Sequence, residues 1–145
     1  VVIDWEQAGV ERALALARER GAKRLVPLAV SVAAHTPLMR GAVERLSAFL
    51  EQISLRRPWI AVINNATAIP TDDPTAIKSA LLRQLASPVR WVESIRLMIE
   101  RGVTTILEVG PRAVVSGLNK RIAPEATLRD VTDVASIESF ATEGL

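Results

Sequence analysis

Short apolar segments alternate with amphipathic segments along the whole chain, and this alternation constrains the fold more than any other feature. Apolar runs predict strands at residues 1–3, 25–32, 59–63, 104–108 and 127–131. Between them, apolar residues recur at the spacing of one helix face, which predicts helices over residues 7–20, 37–52, 74–85, 88–101 and 113–121, with a last turn at 136–140. Strands that alternate with helices are typical of an α/β fold with a mainly parallel sheet.

Several helix ends are marked by residues with a strong local preference. Asp73 followed by Pro74 predicts a helix start, with the aspartate as N-cap and the proline in the first position. Gly21 and Gly102 are placed to end the helices that precede them. Pro27 interrupts the second predicted strand, which favours an edge position or a bulge there.

Composition bounds the class of protein and its partners. The chain has 145 residues, of which 49% are hydrophobic and 23% are charged, as in a globular domain. The net charge of +2 and the lack of a basic run with interleaved aromatic residues argue against a nucleic-acid partner. The absence of cysteine excludes disulfides and cysteine-based metal sites and favours a cytoplasmic protein. No apolar run is long enough to span a membrane, so no membrane partner is expected. No metal is expected either, because the sequence has no cysteine and only one histidine.

The chain begins at Val1 without an initiator methionine and without the basic start of a signal peptide. The first residues instead resemble a strand entered in the middle of a fold. We therefore expect this end to be a cut or processed edge of a longer protein.

The single histidine, His35, is the strongest candidate for chemistry. It lies in Ser-Val-Ala-Ala-His-Thr-Pro-Leu-Met (residues 31–39), just after a predicted strand and just before a helix. Open α/β sheets place their sites in such loops, at the carboxyl ends of strands. A histidine there can serve as a general base, although a lone histidine is more often structural or exposed.

Four further segments complete a pattern with residues 31–39. They are Val-Ile-Asn-Asn (62–65), Arg-Gln-Leu-Ala-Ser-Pro-Val-Arg-Trp (83–91), Glu-Val-Gly-Pro (108–111) and Gly-Leu-Asn-Lys-Arg (117–121). In this order and spacing, the five segments resemble the C-terminal half of the malonyl-CoA:acyl carrier protein transacylase family, which includes the acyltransferase domains of polyketide and fatty acid synthases. Each segment is weak alone, but five in register are specific. The resemblance covers Val1 to about Phe140.

The resemblance implies a fold and a division into domains. The family has an α/β-hydrolase-like large domain that carries an inserted ferredoxin-like small subdomain. Residues 1–31 would be the C-terminal part of the small subdomain, and residues 32–145 would be the C-terminal part of the large domain.

The resemblance also implies a reaction. A serine on a Gly-His-Ser-x-Gly elbow takes the malonyl group from coenzyme A and passes it to the phosphopantetheine thiol of acyl carrier protein. The catalytic histidine of the family matches His35, and the glutamine whose backbone carbonyl orients it matches Gln84, a role that does not need the Gln84 side chain. Asn65 matches an asparagine near the substrate, with a strand-ending turn residue as the alternative.

The implied partners are acyl carrier protein, malonyl-CoA as substrate, and the N-terminal remainder of the same enzyme. No cofactor is implied, because the phosphopantetheine is carried by the partner. Candidate contacts to the acidic carrier protein are Lys23, Arg24, Lys120 and Arg121, although they could equally be ordinary solvated charges.

One departure from the family pattern limits the expectation. The sequence contains no Gly-x-Ser-x-Gly, so the nucleophile should lie outside the chain and the chain alone should be inactive. The Val-Ala-Ala-His stretch resembles the stand-alone bacterial enzymes and favours malonyl as the acyl group. Two alternatives stay open: an acyltransferase module of a polyketide synthase, and a non-catalytic module that binds the carrier protein.

Overall fold

The structure is a computed structural model that describes residues 2–28, 30 and 32–143. Its helices are α1 (Gln7–Glu19), α2 (Arg40–Gln52), α3 (Pro74–Leu85), α4 (Trp91–Glu100), α5 (Ser116–Ile122) and α6 (Val134–Glu143). Its strands are β1 (Val62–Ile63), β2 (Pro70–Thr71), β3 (Thr105–Val109) and β4 (Thr127–Val131). A 3-10 turn at Pro37–Met39 leads into α2.

Three helix ends that were predicted from local preferences are confirmed, whereas α4 begins at Trp91, three residues after its predicted start at residue 88. The Asp73 carboxylate accepts hydrogen bonds from the backbone N–H groups of Thr75 and Ala76, and Pro74 is the first residue of α3. Gly21 and Gly102 have φ angles of 85° and 87°, the left-handed conformation in which glycine ends a helix at no steric cost.

The predicted N-terminal strands are wrong for the residues that the structure describes. Val2 and Ile3 form no strand, and Val1 lies outside the described residues. The segment 25–32 also forms no strand at its described positions, and its Ala29 and Ser31 lie outside them. Val26, Leu28 and Val30 are exposed, and no described strand runs beside them. An apolar pattern becomes a strand only where a neighbouring strand satisfies its backbone N–H and C=O groups.

Contacts divide the chain after Val89 into two compact units. In the first unit, β1 pairs with β2 in antiparallel fashion, Val62 opposite Thr71 and Ile63 opposite Pro70. The predicted strand over residues 59–63 is therefore correct only at its last two residues. It forms a hairpin rather than part of a parallel sheet, because the chain turns back within the six residues between Ile63 and Pro70.

The second unit is a parallel βαβ unit with two further helices. β3 and β4 pair in register from Thr105 opposite Thr127 to Val109 opposite Val131, and α5 lies in the crossover between them. Parallel neighbours require such a crossover because no tight turn can connect them. Its buried apolar residues include Ile95, Ala123 and Val131.

The α/β class is confirmed. The expectation of a mainly parallel sheet is only partly correct, because the described strands form one parallel and one antiparallel pair. The domain boundary expected after residue 31 stays a prediction. No helix within the described residues is long and apolar enough to cross a lipid bilayer.

Candidate active site

The loop that carries His35 is held by the buried residue after it. The Thr36 hydroxyl donates a hydrogen bond to the Ala33 carbonyl at 2.8 Å and accepts one from the backbone N–H of Leu38 at 3.3 Å. Thr36 is therefore the N-cap of the turn that opens at Pro37. The two hydrogen bonds connect Ala33, before His35, with Leu38, after it, and so fix the conformation of the loop.

The His35 ring contacts the residue that the sequence placed beside it. His35 Nδ1 lies 2.7 Å from the backbone carbonyl oxygen of Gln84, 49 residues further along the chain. A carbonyl oxygen can only accept, so Nδ1 must carry the proton. The neutral ring then has its lone pair on Nε2, which is the form that a general base needs.

The His35 backbone is attached to the same helix end. Its N–H donates to the Leu85 carbonyl at 2.9 Å, so two consecutive carbonyl oxygens at the C-terminus of α3 are occupied by one residue. Such carbonyls have no partner within their own helix. The φ angle of His35 is 64°, a left-handed conformation that is uncommon for a residue with a side chain. Strained backbone of this kind is held only where the surroundings fix it, and it concentrates at functional sites.

The Gln84 side chain has a partner of its own. Its Oε1 accepts a hydrogen bond from Asn64 Nδ2 at 3.1 Å, and Asn64 Oδ1 accepts one from the backbone N–H of Ala66 at 2.8 Å. Asn64 is buried, with 8% of its surface exposed, and its backbone carbonyl also accepts from the N–H of Ala68 at 2.9 Å. The hairpin loop after β1 is thereby connected to the end of α3.

Asn65, the asparagine named from the sequence, lies next to this connection and does not take part in it. It is partly exposed, and it follows the buried Asn64 in the hairpin loop. Its expected role beside the substrate stays a prediction.

The four basic candidates are all exposed. Lys23 and Arg24 follow the end of α1, and Lys120 and Arg121 lie in the last turn of α5, where positive charge complements the helix dipole. Within residues 2–28, 30 and 32–143, no three His, Cys, Asp or Glu side chains are grouped to hold a metal ion.

The Glu-Val-Gly-Pro segment has an architectural explanation in the second unit. Glu108 Oε1 accepts from the N–H groups of Val114 and Val115 at 2.8 and 3.0 Å, and Oε2 accepts from Ser116 N–H and Ser116 Oγ, both at 2.7 Å. The Ser116 hydroxyl, followed by these backbone N–H groups, lowers the pKa of Glu108 to about 2. One carboxylate thus closes the loop between β3 and α5.

The two remaining segments contact each other in the same unit. Asn119, fully buried in α5, accepts a hydrogen bond from the Trp91 indole N–H at 2.9 Å. This bond connects Trp91 at the start of α4 with Asn119 in α5.

Sequence reasoning missed two residues of the site, Thr36 and Asn64. Thr36 had a local signal, because threonine before proline at a helix start is a common N-cap. Asn64 had a weaker one, since Asn64-Asn65 after a strand indicates a turn without saying which amide points inward.

Comparison with known proteins gives a consistent result. A scan against models of protein families found no match. The chain is 48% identical to a malonyl CoA-acyl carrier protein transacylase of Haemophilus influenzae over 96% of its length and 45% of that protein. The chain therefore spans less than half the length of this relative.

Solved structures show the same likeness. An acyl carrier protein S-malonyltransferase from Vibrio cholerae matches with a TM-score of 0.83 and 45% identity, over 90% of this chain and 42% of that one. A malonyl-transacylase in complex with a type II polyketide synthase acyl-carrier protein matches with a TM-score of 0.88 and 40% identity, over 95% of this chain and 45% of that one. These findings show that the chain is homologous to a C-terminal portion of the malonyl CoA-acyl carrier protein transacylases.

Proposed function

We propose that the protein containing this chain transfers a malonyl group from coenzyme A to the phosphopantetheine thiol of acyl carrier protein. His35 would act as the general base for a serine nucleophile that is not part of these 145 residues. The names of the relatives support the substrate and the partner, and the structure of a relative with its carrier protein supports the partner independently.

The observation that carries the proposal is the hydrogen bond from His35 Nδ1 to the Gln84 carbonyl. It sets the tautomer with the lone pair on Nε2, which can take the proton of a serine hydroxyl as its oxygen attacks a thioester carbonyl. The imidazolium that forms would lie beside two carbonyls at the C-terminus of α3, where the helix dipole favours positive charge. This arrangement would replace the carboxylate of a Ser-His-Asp triad.

His35 Nε2 would transfer a proton in each of the two half-reactions. His35 Nε2 would return its proton to the coenzyme A thiolate as that thiolate leaves the tetrahedral intermediate. It would then accept the proton of the phosphopantetheine thiol, whose sulfur attacks the serine ester. The proton finally returns to the serine oxygen, so the enzyme is regenerated and no cofactor is consumed.

The proposal includes the less direct expectations from the sequence. The complete protein would have an α/β-hydrolase-like large domain with an inserted ferredoxin-like subdomain. Asn65 would contact the substrate, and Lys23, Arg24, Lys120 and Arg121, which are exposed cations, would meet the acidic carrier protein. A cytoplasmic location is part of the same proposal.

The test is malonyl transfer by the full-length gene product with His35 replaced by alanine. We expect acyl-enzyme formation to fall by about 10²–10⁴-fold, the usual contribution of general acid–base catalysis. Gln52→Ala, on the exposed end of α2, is a control that should keep the wild-type rate. Acyl-enzyme formation at the normal rate in His35→Ala would show that the base is another residue.

Two other functions make different predictions. An acyltransferase module of a polyketide synthase would be flanked in its gene by ketosynthase or carrier segments. A non-catalytic module would bind acyl carrier protein without forming an acyl-enzyme. The preorganised His35 favours a catalytic role, because binding alone does not require a defined tautomer.

A further inference from the structure

We infer that Asn64 is a positioning residue for His35 and acts through the side chain of Gln84. The connection runs from the hairpin loop through two amide side chains to the backbone carbonyl that holds the imidazole. It differs from the expectation from the sequence, in which only the backbone of Gln84 mattered. The inference rests on the proposed function, because the orientation of His35 matters for catalysis only if its Nε2 accepts a proton.

Each hydrogen bond in this connection has a fixed direction. The Ala66 N–H can only donate, so the Asn64 atom 2.8 Å away must be its oxygen, and the Asn64 amide nitrogen must face Gln84. That nitrogen can only donate, so the Gln84 atom 3.1 Å away must be Oε1. No flip of either amide would satisfy both bonds, and the two side chains therefore have one orientation.

The place of Gln84 in α3 explains why its side chain matters. Gln84 is the second-last residue of α3, where the backbone carbonyls have no partner within the helix and helix ends fray. A side chain tied to the hairpin loop resists rotation of that peptide group. The carbonyl oxygen then stays 2.7 Å from His35 Nδ1 instead of turning toward water.

Burial of Asn64 strengthens its preference for Gln84 as hydrogen-bond partner over water. Only 8% of the Asn64 surface is exposed, so water cannot readily replace Gln84 as the partner of its amide. Leaving a buried donor without an acceptor is unfavourable, and the loop would have to rearrange to relieve it. The position of Asn64 is itself fixed, because its side-chain and backbone oxygens both accept from N–H groups of the hairpin loop.

The test compares variants of the full-length gene product with the wild type. Gln84→Met removes the acceptor but keeps side-chain length and the backbone carbonyl. Asn64→Ser removes the amide donor but keeps a hydroxyl that can accept from Ala66 N–H. Gln84→Glu is the rescue variant for the tautomer measurement, since its carboxylate still accepts from Asn64, and Gln52→Ala, on the exposed end of α2, is the control for activity. Circular dichroism checks that each variant is folded.

Two measurements read the result. The ¹⁵N shifts of labelled histidine, assigned with His35→Gln, report the share of His35 that carries its proton on Nδ1, without reference to activity. We expect a larger Nε2–H share in Gln84→Met and in Asn64→Ser, and the wild-type share in Gln84→Glu. We also expect kcat for malonyl transfer to fall by about tenfold to 100-fold in the first two variants with little change in KM, as for a misplaced catalytic group.

The outcomes separate this inference from the proposed function. Unchanged ¹⁵N shifts in both Gln84→Met and Asn64→Ser would overturn the positioning role, whatever the enzyme transfers. A wild-type protein that transfers no malonyl group would instead contradict the proposed function, while the ¹⁵N shifts would still report whether Asn64 orients His35. If kcat of the double variant Gln84→Met/Asn64→Ser is no lower than kcat of either single variant, Asn64 and Gln84 act through the same connection.

Discussion

At the scale of single residues, a few side chains with several hydrogen bonds hold the loops. Asn64 and Thr36 do so in the first unit, and Glu108 does so in the second. The Glu108 carboxylate is the clearest case, because its two oxygens together accept four hydrogen bonds from the segment that enters α5. Such a group stabilises the fold only while it is charged, so its contribution must depend on pH.

Replacing Glu108 by glutamine should lower stability at neutral pH. The amide keeps one acceptor oxygen and has an NH₂ group that cannot accept from Ser116. The pKa of the folded carboxyl group is about 2, below its usual 4.5, so its stabilisation is present above pH 4.5 and is lost as the pH falls toward 2. Thermal midpoints of wild type and Glu108→Gln, measured from pH 7 to pH 2, should converge at the acid end.

Glu93→Gln is the control for this experiment. Glu93 forms an exposed pair with Arg90, three residues away, and such pairs contribute little. If the difference in thermal midpoint between wild type and Glu108→Gln did not narrow in acid, the carboxylate charge would not be the cause of the stabilisation.

At the scale of elements, α3 connects local sequence preferences with the site. Its N-terminus is capped by Asp73, and its C-terminal carbonyls at Gln84 and Leu85 hold the ring and backbone of His35. The cap determines where the helix starts, and the helix length then determines where those carbonyls lie. The site therefore depends on a helix whose start is set twelve residues before Leu85.

Removing the cap should cost stability without altering the chemistry. Asp73→Ala leaves two N–H groups of the first turn without their acceptor, so we expect a loss of about 1 kcal/mol in the free energy of unfolding. Asp73→Ser, which can still cap, should lose much less. Urea unfolding measures both, and kcat should stay at the wild-type value because the site lies at the other end of α3. Equal losses in the two variants would contradict capping as the cause.

At the scale of the whole molecule, much apolar surface is left uncovered. In the first unit, Trp59 is fully exposed, Ile60 is 81% exposed and Phe49 is 68% exposed. Extensive exposed apolar surface is typical of proteins that bind other protein. The chain spans less than half the length of the relatives named above.

We expect the 145-residue chain to self-associate when it is expressed by itself. Sedimentation velocity should show species larger than a monomer that depend on concentration. The double variant Trp59→Gln/Ile60→Gln should shift the distribution toward monomer, and Gln52→Ser, on an exposed polar site, should not. A monodisperse wild-type monomer with cooperative unfolding would contradict this expectation.

Local features of the sequence were enough to predict the six helices and some of their ends, but not the strand β2 or the starts of α4 and α5. Asp73 with Pro74, Gly21 and Gly102 act on backbone groups within a few residues, so the same residues have the same effect in most folds. The resemblance to a family also identified His35 and Gln84 as neighbours, although no local rule connects residues 49 positions apart.

Only the tertiary structure decided which strands pair and which amide faces the site. Residues 25–32 are more apolar than β4, but a strand forms only beside a partner strand, and the described residues of 25–32 have no such partner. Asn64 and Asn65 are equivalent in the sequence, and only the hairpin between β1 and β2 turns Asn64 toward Gln84. The sequence determines local conformation through neighbouring atoms, whereas contacts between distant residues depend on how the elements pack.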